Sequence, residues 1–250
     1  MLQNEVYFGT SGLLLPVPNK QFYPKEFKEK SRLSYYGSLM NSIEVNSSFY
    51  KIPLAGTVQR WAESVPENFR FTFKLWREIT HVKGLVYRDE DVFRFMEVIA
   101  AAGDKKGSLL VQFPPSVTYS NIFQVERLLD LIRIADPLNQ WDTALEFRHP
   151  GWYREETADM LISKGAGIVL HDKSPAVTPF NFHESDFVYL RFHGPGGDYK
   201  GSYDDATLAE YAEYIREWHE QGKRVYVYFN NTIGNALQNL NDLRDLVLQD

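Results

Sequence analysis

The sequence predicts a single-domain α/β fold over residues 1–250, an eight-stranded (β/α)8 barrel of the TIM type. Three observations lead there. Short β-branched and aromatic runs alternate with helical patterns from one end of the chain to the other, which is the rhythm of parallel βαβ units. No repeat, low-complexity tract or Pro/Gly/Ser-rich linker interrupts that rhythm. Within the runs, apolar and polar residues alternate, and the polar ones gather toward the C-terminal ends, where barrels of this type carry their active sites.

The candidate strands, in order, are VYFGTSG from Val6, SIEVNSSF from Ser42, RFTFKLW from Arg70 and SLLVQFPP from Ser108. TALEFRHP from Thr143, GIVLHDK from Gly167, FVYLRFHG from Phe187 and RVYVYFNN from Arg224 complete the set. Helical periods lie between them in AGTVQRWAESV, EDVFRFMEVIAAAG and NIFQVERLLDLIRI. In DDATLAEYAEYIREWHEQG, Leu208, Tyr211, Ala212, Ile215 and Trp218 recur at helical spacing, and Gly222 supplies a C-terminal stop. The connection from Ser174 to Asp186 shows no such period.

One parity of the strands is apolar: Val6 and Phe8, Ile43 and Val45, Phe71 and Phe73, Leu145 and Phe147, Val188, Leu190 and Phe192, Val225, Val227 and Phe229. These positions are expected to face the helices. The opposite parity carries Glu44 and Asn46, Lys74, Gln112, Glu146 and Arg148, Arg191 and His193, and Tyr226, Tyr228 and Asn230. It is expected to point into the barrel, with its polar members at the mouth.

Composition narrows the partners. Against 33 acidic residues there are 27 Lys and Arg, a net charge of −6, so the molecule as a whole does not attract nucleic acid or an anionic membrane, and any anion site must be local. The absence of cysteine excludes disulfides, thiolate metal sites and a cysteine nucleophile. GLLLPV, near the N-terminus, is broken by Pro16 and lacks a preceding basic segment, so it reads as neither signal peptide nor membrane span. A cytoplasmic protein without membrane attachment is the expectation.

The inward polar set suggests chemistry. Lys74, Arg148 and Arg191 would converge from three strands, and three cations against one or two acids suggest a bound phosphate or carboxylate. Glu44 and Glu146 lie on nonadjacent strands and allow a glycosidase-like acid and nucleophile pair, or an ion-pair network that shapes the mouth. Arg148 on the face of Glu146 would keep that carboxyl ionised, suiting a base, nucleophile or orienting group. His193 is the preferred proton-transfer residue, with His171 as a second candidate. Asn46 and Asn230, with Gln112, Asn231, His171 and Tyr228, are expected to contact substrate. YFNNTIGNA, which leads into a helix near Gly234, offers either a helix-start anion site or an ordinary cap. The glycine-rich loop HGPGGDYKGSYDD could move, with Tyr199 and Tyr203 closing over a ligand. His171 with Glu146 and Asp172 could hold a metal, but the neighbouring arginines oppose one, so neither metal nor other cofactor is expected.

FGTSG, IEVNSSFY, RWAESVPENFRFTFKL, ITH, LLVQFPPS, LEFRHPGW, VYLRFHG and VYVYFNNT resemble, in this order, the conserved segments of the domain of unknown function 72 family, the YecE-like proteins. The resemblance implies a (β/α)8 barrel and no particular reaction. Many members carry an aromatic residue after TSG, where this chain has Leu13. The expected function is an enzyme of acid–base or hydrolytic chemistry on a small polar, anionic molecule, with Glu146, His193 and Glu44 as its catalytic groups. A phosphoesterase or nuclease acting on a phosphodiester, and a non-catalytic metabolite- or partner-binding barrel, are the alternatives.

Overall fold

The computed structural model describes residues 5–182 and 184–249. The strands stand where the alternating runs predict them: β1 Val6–Thr10, β2 Ser42–Val45, β3 Arg70–Lys74, β4 Lys106–Gln112, β5 Asp142–Glu146, β6 Gly167–His171, β7 Phe187–Phe192 and β8 Arg224–Phe229. They pair in parallel in the order β1-β8-β7-β6-β5-β4-β3-β2. A parallel bridge between Ser11 and Glu44 joins the two ends of that order and closes the barrel. Most of the sequence runs continue past their strand ends, and those overhangs form the mouth.

Around the barrel lie α1 Arg32–Leu39, α2 Ser47–Tyr50, α3 Ala55–Glu63, α4 Arg77–Thr80, α5 Asp89–Ala100, α6 Ile122–Ala135, α7 Glu155–Ser163, α8 Asp205–Glu220 and α9 Ala236–Leu248. Among the described residues no regular helix joins β6 to β7, as the missing period predicts. Helix α8 shows why these segments are helical. Asp204 caps its first turn by accepting from the Thr207 N–H at 2.7 Å, and Gly222, at φ +80°, lets the chain leave after its last turn. Its buried stripe is Leu208, Ala212, Ile215 and Trp218, each large apolar member contributing about 1.5–3 kcal/mol by leaving water. No helix among the described residues is long and apolar enough to cross a membrane.

The alternating parity divides the interior in two. Val6, Phe8, Ile43, Phe71, Phe73, Leu145, Val188, Leu190, Val225 and Val227 belong to the large apolar layer between strands and helices. A second, separate cluster fills the barrel itself with Tyr7, Leu110, Ala144, Val169, Phe187, Tyr189, Tyr226 and Tyr228. Tyr7 stacks on Tyr226 at 5.1 Å between ring centroids, and Tyr228 sends its hydroxyl to Ser42 Oγ at 2.5 Å and Thr72 Oγ1 at 2.7 Å. Tyr228, expected to contact substrate, is therefore a core residue beneath the mouth.

Side chains close the seam between β1 and β2. Asn41 accepts from the Phe8 N–H at 2.7 Å and donates to the Val6 carbonyl at 2.8 Å, standing in for ladder bonds. The Tyr36 hydroxyl accepts from the Thr10 N–H at 2.8 Å and contacts the Ser42 carbonyl at 3.0 Å. Gly9 is required here, because a Cβ would come within 2.3 Å of the Ser42 carbonyl oxygen.

Candidate functional site

The overhangs past β2, β3, β4, β5, β7 and β8 surround a cleft of about 230 Å³ lined by Asn46, Phe49, Tyr50, Lys74, Gln112, Arg148, Arg191, Tyr199 and Asn230. It opens at the C-terminal ends of the strands, the usual place for a site in this fold. Three larger clefts lie elsewhere, one beside α7, one between α1 and α9 and an apolar one behind β2 that Asn46 also borders; none of them is lined by Lys74, Gln112, Arg148, Arg191 or Asn230. Six of the sequence-predicted site residues line the mouth: Asn46, Lys74, Gln112, Arg148, Arg191 and Asn230.

Directly beneath lies a charged network centred on Arg191. Its guanidinium grips Glu44 with two parallel bonds, Nε to Oε2 at 2.9 Å and Nη2 to Oε1 at 2.7 Å, and reaches Glu146 Oε2 from Nη1 at 2.9 Å. Tyr189 donates to Glu44 Oε2 at 2.7 Å, and Ser11 donates to Oε1. Arg148 forms an ion pair with the other oxygen of Glu146. Both carboxylates are fully buried, a costly placement that only such pairing sustains.

Burial alone would raise the pKa of Glu44, but the Arg191 charge and its hydrogen bonds outweigh it and hold the carboxyl below its ordinary value. The same opposition, won by Arg148 and then Arg191, holds Glu146 well below. A glycosidase-like pair needs one carboxyl kept protonated, so two carboxyls held ionised by arginines do not fit that division of labour.

His193 is fully buried behind the arginines. Asp172 Oδ1 lies 2.8 Å from the His193 N–H and 3.1 Å from its Nδ1, which places the ring proton on Nδ1. The Nε2 lone pair then faces Arg148 Nη2 at 3.0 Å and Arg191 Nη1 at 3.2 Å. Burial pushes the imidazole pKa down; the Asp172 bond opposes this and Arg191 adds to it. Tyr203 donates to the second oxygen of Asp172 while accepting from the Gly194 N–H at 2.6 Å. Asp172 and Tyr203 thus act through His193. Asp172 falls just beyond a strand end, where the parity argument stops.

His171 is placed differently. Its Nε2 is 3.0 Å from the Phe147 carbonyl and its Nδ1 accepts from the Lys173 N–H at 3.1 Å, so both ring nitrogens serve the backbone. Burial lowers its pKa to about 4. It is a structural residue and does not line the cleft. Asn231 is also buried, donating to the Gly201 carbonyl and to Asn239 Oδ1, each at 3.2 Å, and it holds the glycine-rich loop from below. Among the described residues no three His, Asp or Glu side chains converge as metal ligands.

The glycine-rich loop is stitched down. The Tyr199 N–H donates to the His193 carbonyl at 2.7 Å, Ile233 N–H to the Tyr199 carbonyl at 3.1 Å, and Asn235 N–H to the Gly201 carbonyl at 3.0 Å. Gly194, at φ +95°, has no room for a Cβ, which would meet the Lys200 carbonyl at 2.1 Å. These bonds hold Tyr199 over the mouth as a fixed wall, and Tyr203 turns inward to Asp172. The segment NNTIGN serves this loop as well, and α9 starts at Ala236 without a side-chain cap.

Sequence reasoning missed Phe49 and Tyr50. Phe49 ends the run SIEVNSSF and Tyr50 follows it, but the chain from Ser47 to Tyr50 forms α2, so the two-residue alternation does not reach them.

A closed parallel barrel with a charged cleft at the C-terminal ends of its strands defines a TIM-barrel protein with a candidate site at the standard face. Within that class, the chain belongs to the family described as protein of unknown function DUF72, whose profile matches residues 7–250. It is 24% identical over 259 residues to the UPF0759 protein YunF of Bacillus subtilis, covering 92% of this chain and 89% of that one. A family structure from Enterococcus faecalis superposes with a TM-score of 0.79 at 21% identity, covering 98% of this chain and 96% of the other. One from Thermotoga maritima gives 0.77 at 26% identity, covering 98% and 99%.

Proposed function

We propose that the barrel mouth binds a small phosphate- or carboxylate-bearing molecule as the substrate of an enzyme. The observation that carries this reading is Arg148. Its Nη1 is buried in the wall of the cleft and has no hydrogen-bond partner among the described residues, while both neighbouring carboxylates are already engaged by Arg191. A buried guanidinium N–H without an acceptor is costly, and an oxyanion supplies one in the geometry that guanidinium groups favour. Asn46, Gln112 and Asn230 line the same cleft and would orient the uncharged parts of such a ligand.

Glu44 and Glu146 are positioning residues in this account, fixing Arg191 and Arg148 from beneath. His193 is the group best suited to move a proton. Asp172 holds its Nδ1–H, and a ligand that draws Arg148 away leaves its Nε2 facing only Arg191, whose guanidinium Glu44 and Glu146 already engage. A substrate of this charge would therefore both satisfy Arg148 and loosen the hold on this base. The small cleft and the net charge of −6 favour a small molecule over a nucleic-acid strand.

Inorganic phosphate tests the binding step. It should raise the melting temperature of the protein in a concentration-dependent way, because a ligand specific to the folded state stabilises by mass action. Arg148→Met, which leaves Glu146 paired with Arg191, should remove most of that rise. A rise unaffected by Arg148→Met would place the anion elsewhere and sink the reading.

A further inference from the structure

Lys74 stands apart from the rest of the network. It ends β3 with its side chain in the cleft wall, and its Nζ lies 4.3 Å from the centroid of the Phe49 ring. No carboxylate oxygen comes within ion-pairing distance of it among the described residues, because Glu44 and Glu146 are held by Arg191 and Arg148. The buried Lys105 shows what a structural ammonium looks like. Lys105 donates to the Ala62 and Val65 carbonyls at 2.7 Å each and so braces the end of α3. Lys74 has no comparable bonds among the described residues, and it faces the cleft that the inward polar residues line.

We propose that Lys74 is a nucleophile that forms an imine with an aldehyde or ketone bearing a carboxylate or phosphate, whose anionic group is held by Arg148. This rests on the anion-binding reading above. The free amine adds to the carbonyl carbon, and the C–N bond forms as the carbonyl π bond breaks and its oxygen takes a proton. The nitrogen gives up its protons, the hydroxyl departs as water, and an imine remains. No external oxidant or reductant is consumed.

Electrostatics favour the free amine. Burial, and then the Arg191 charge, lower the Lys74 pKa to about 8, with Arg148 adding to that and Glu146 and Glu44 opposing it. The free-amine fraction at pH 7 is then roughly a few hundredfold larger than for an exposed lysine. His81 packs edge-on against the same Phe49 ring at 4.8 Å. Burial and the Lys74 charge lower its pKa to about 4, so this ring is neutral at pH 7 and adds no positive charge that would compete with the ammonium.

The test is reductive trapping on the intact chain. The protein is incubated with glyoxylate, glyceraldehyde 3-phosphate or uncharged propionaldehyde in the presence of cyanoborohydride, and adducts are mapped by mass spectrometry. At least one anionic aldehyde should modify Lys74 about tenfold faster or more than the average of the remaining lysines. Excess inorganic phosphate should slow that reaction, and Lys74→Met should abolish the fast adduct while still folding, since it removes a half-buried charge that no carboxylate pairs among the described residues. Faster reaction with glyoxylate identifies a carboxylate ligand, and faster reaction with the sugar phosphate a phosphate ligand. If Lys74 reacts no faster than surface lysines while phosphate still raises the melting temperature, the imine falls and the anion site stands. If phosphate has no effect either, both fall. Equal labelling by propionaldehyde would overturn the anionic substrate.

Discussion

Both ends of the barrel bury charge, and they do it in opposite ways. At the N-terminal end, Asp142 at the start of β5 takes two parallel bonds from Arg224 at the start of β8, at 2.7 and 2.8 Å, and a third from the Tyr226 hydroxyl at 2.8 Å. One anion meets one cation, and the Tyr7–Tyr226 stack seals the barrel beside them. At the C-terminal end, Lys74, Arg148 and Arg191 meet Glu44 and Glu146, with Asp172 behind His193, and there Arg148 Nη1 and Asn46 Oδ1 have no partner among the described residues. The first arrangement is complete without any other molecule. The second gains from a ligand that brings acceptors and negative charge, so the two ends separate a structural ion pair from a binding site within one chain.

The comparison breaks most visibly at Arg191. Replacing it with Met leaves Glu44 and Glu146 buried with only Ser11, Tyr189 and Arg148 for support, and the expected loss is about 3–5 kcal/mol or more. Urea unfolding at pH 7 measures it, and a loss below about 1 kcal/mol would mean that the mouth is far wetter than its burial implies.

Asp142→Asn at the other end sharpens the contrast. Half-exposed Arg224 keeps water as a partner, so a smaller loss of roughly 1–3 kcal/mol is expected, with the phosphate-induced rise in melting temperature unchanged. Arg148→Met should do the reverse, costing less stability than Arg191→Met and losing the phosphate response.

Acid provides a further test with a defined sign. Glu44 and Glu146 have folded-state pKa values below their ordinary 4.5, so their stabilisation is complete above pH 4.5 and is lost as pH falls through the folded-state values. Lys74 adds a gain of the same sign in a higher pH window. With a folded-state pKa of about 8 against an ordinary 10.5, the unfolded chain binds more protons between those values. Stability therefore gains from this group as pH rises from 8 toward 10.5, by an amount on the order of 1–3 kcal/mol. Lys74→Met should remove this component, measured as the difference between the pH–stability curves of the two proteins over that window.

The legible part of the fold was what period-two alternation controls. Strand positions and the division into inward and outward faces follow from where side chains must go on a pleated strand, and so Lys74, Gln112 and Arg191 could be placed at the mouth. What alternation does not control stayed hidden. Asp142 stands one residue before the run read as β5, and its partner Arg224 lies 82 residues away on a nonadjacent strand. Phe49 and Tyr50 sit where the chain has already turned into α2, and Asp172, legible only as a possible metal ligand, lies beyond the end of β6 where its bond to His193 has no signal. The pairing of Arg191 with both Glu44 and Glu146 depends on barrel closure, which brings β2, β5 and β7 around one axis. His171 and Tyr228 shared the inward or strand-end signal of the mouth residues, but their depth and backbone bonding are properties of the packed barrel, invisible in any one strand.

The most direct test of the central claim is calorimetric titration of inorganic phosphate into three proteins at pH 7 and low ionic strength: the natural sequence, Asp142→Asn and Arg148→Met. Saturable binding of one phosphate by the first two, weakened at least about tenfold in the third, is the predicted result, since losing a charged hydrogen-bond partner costs about 1.5–3 kcal/mol. Equal affinity in all three, or loss in Asp142→Asn with retention in Arg148→Met, would contradict the assignment of the mouth as the binding end.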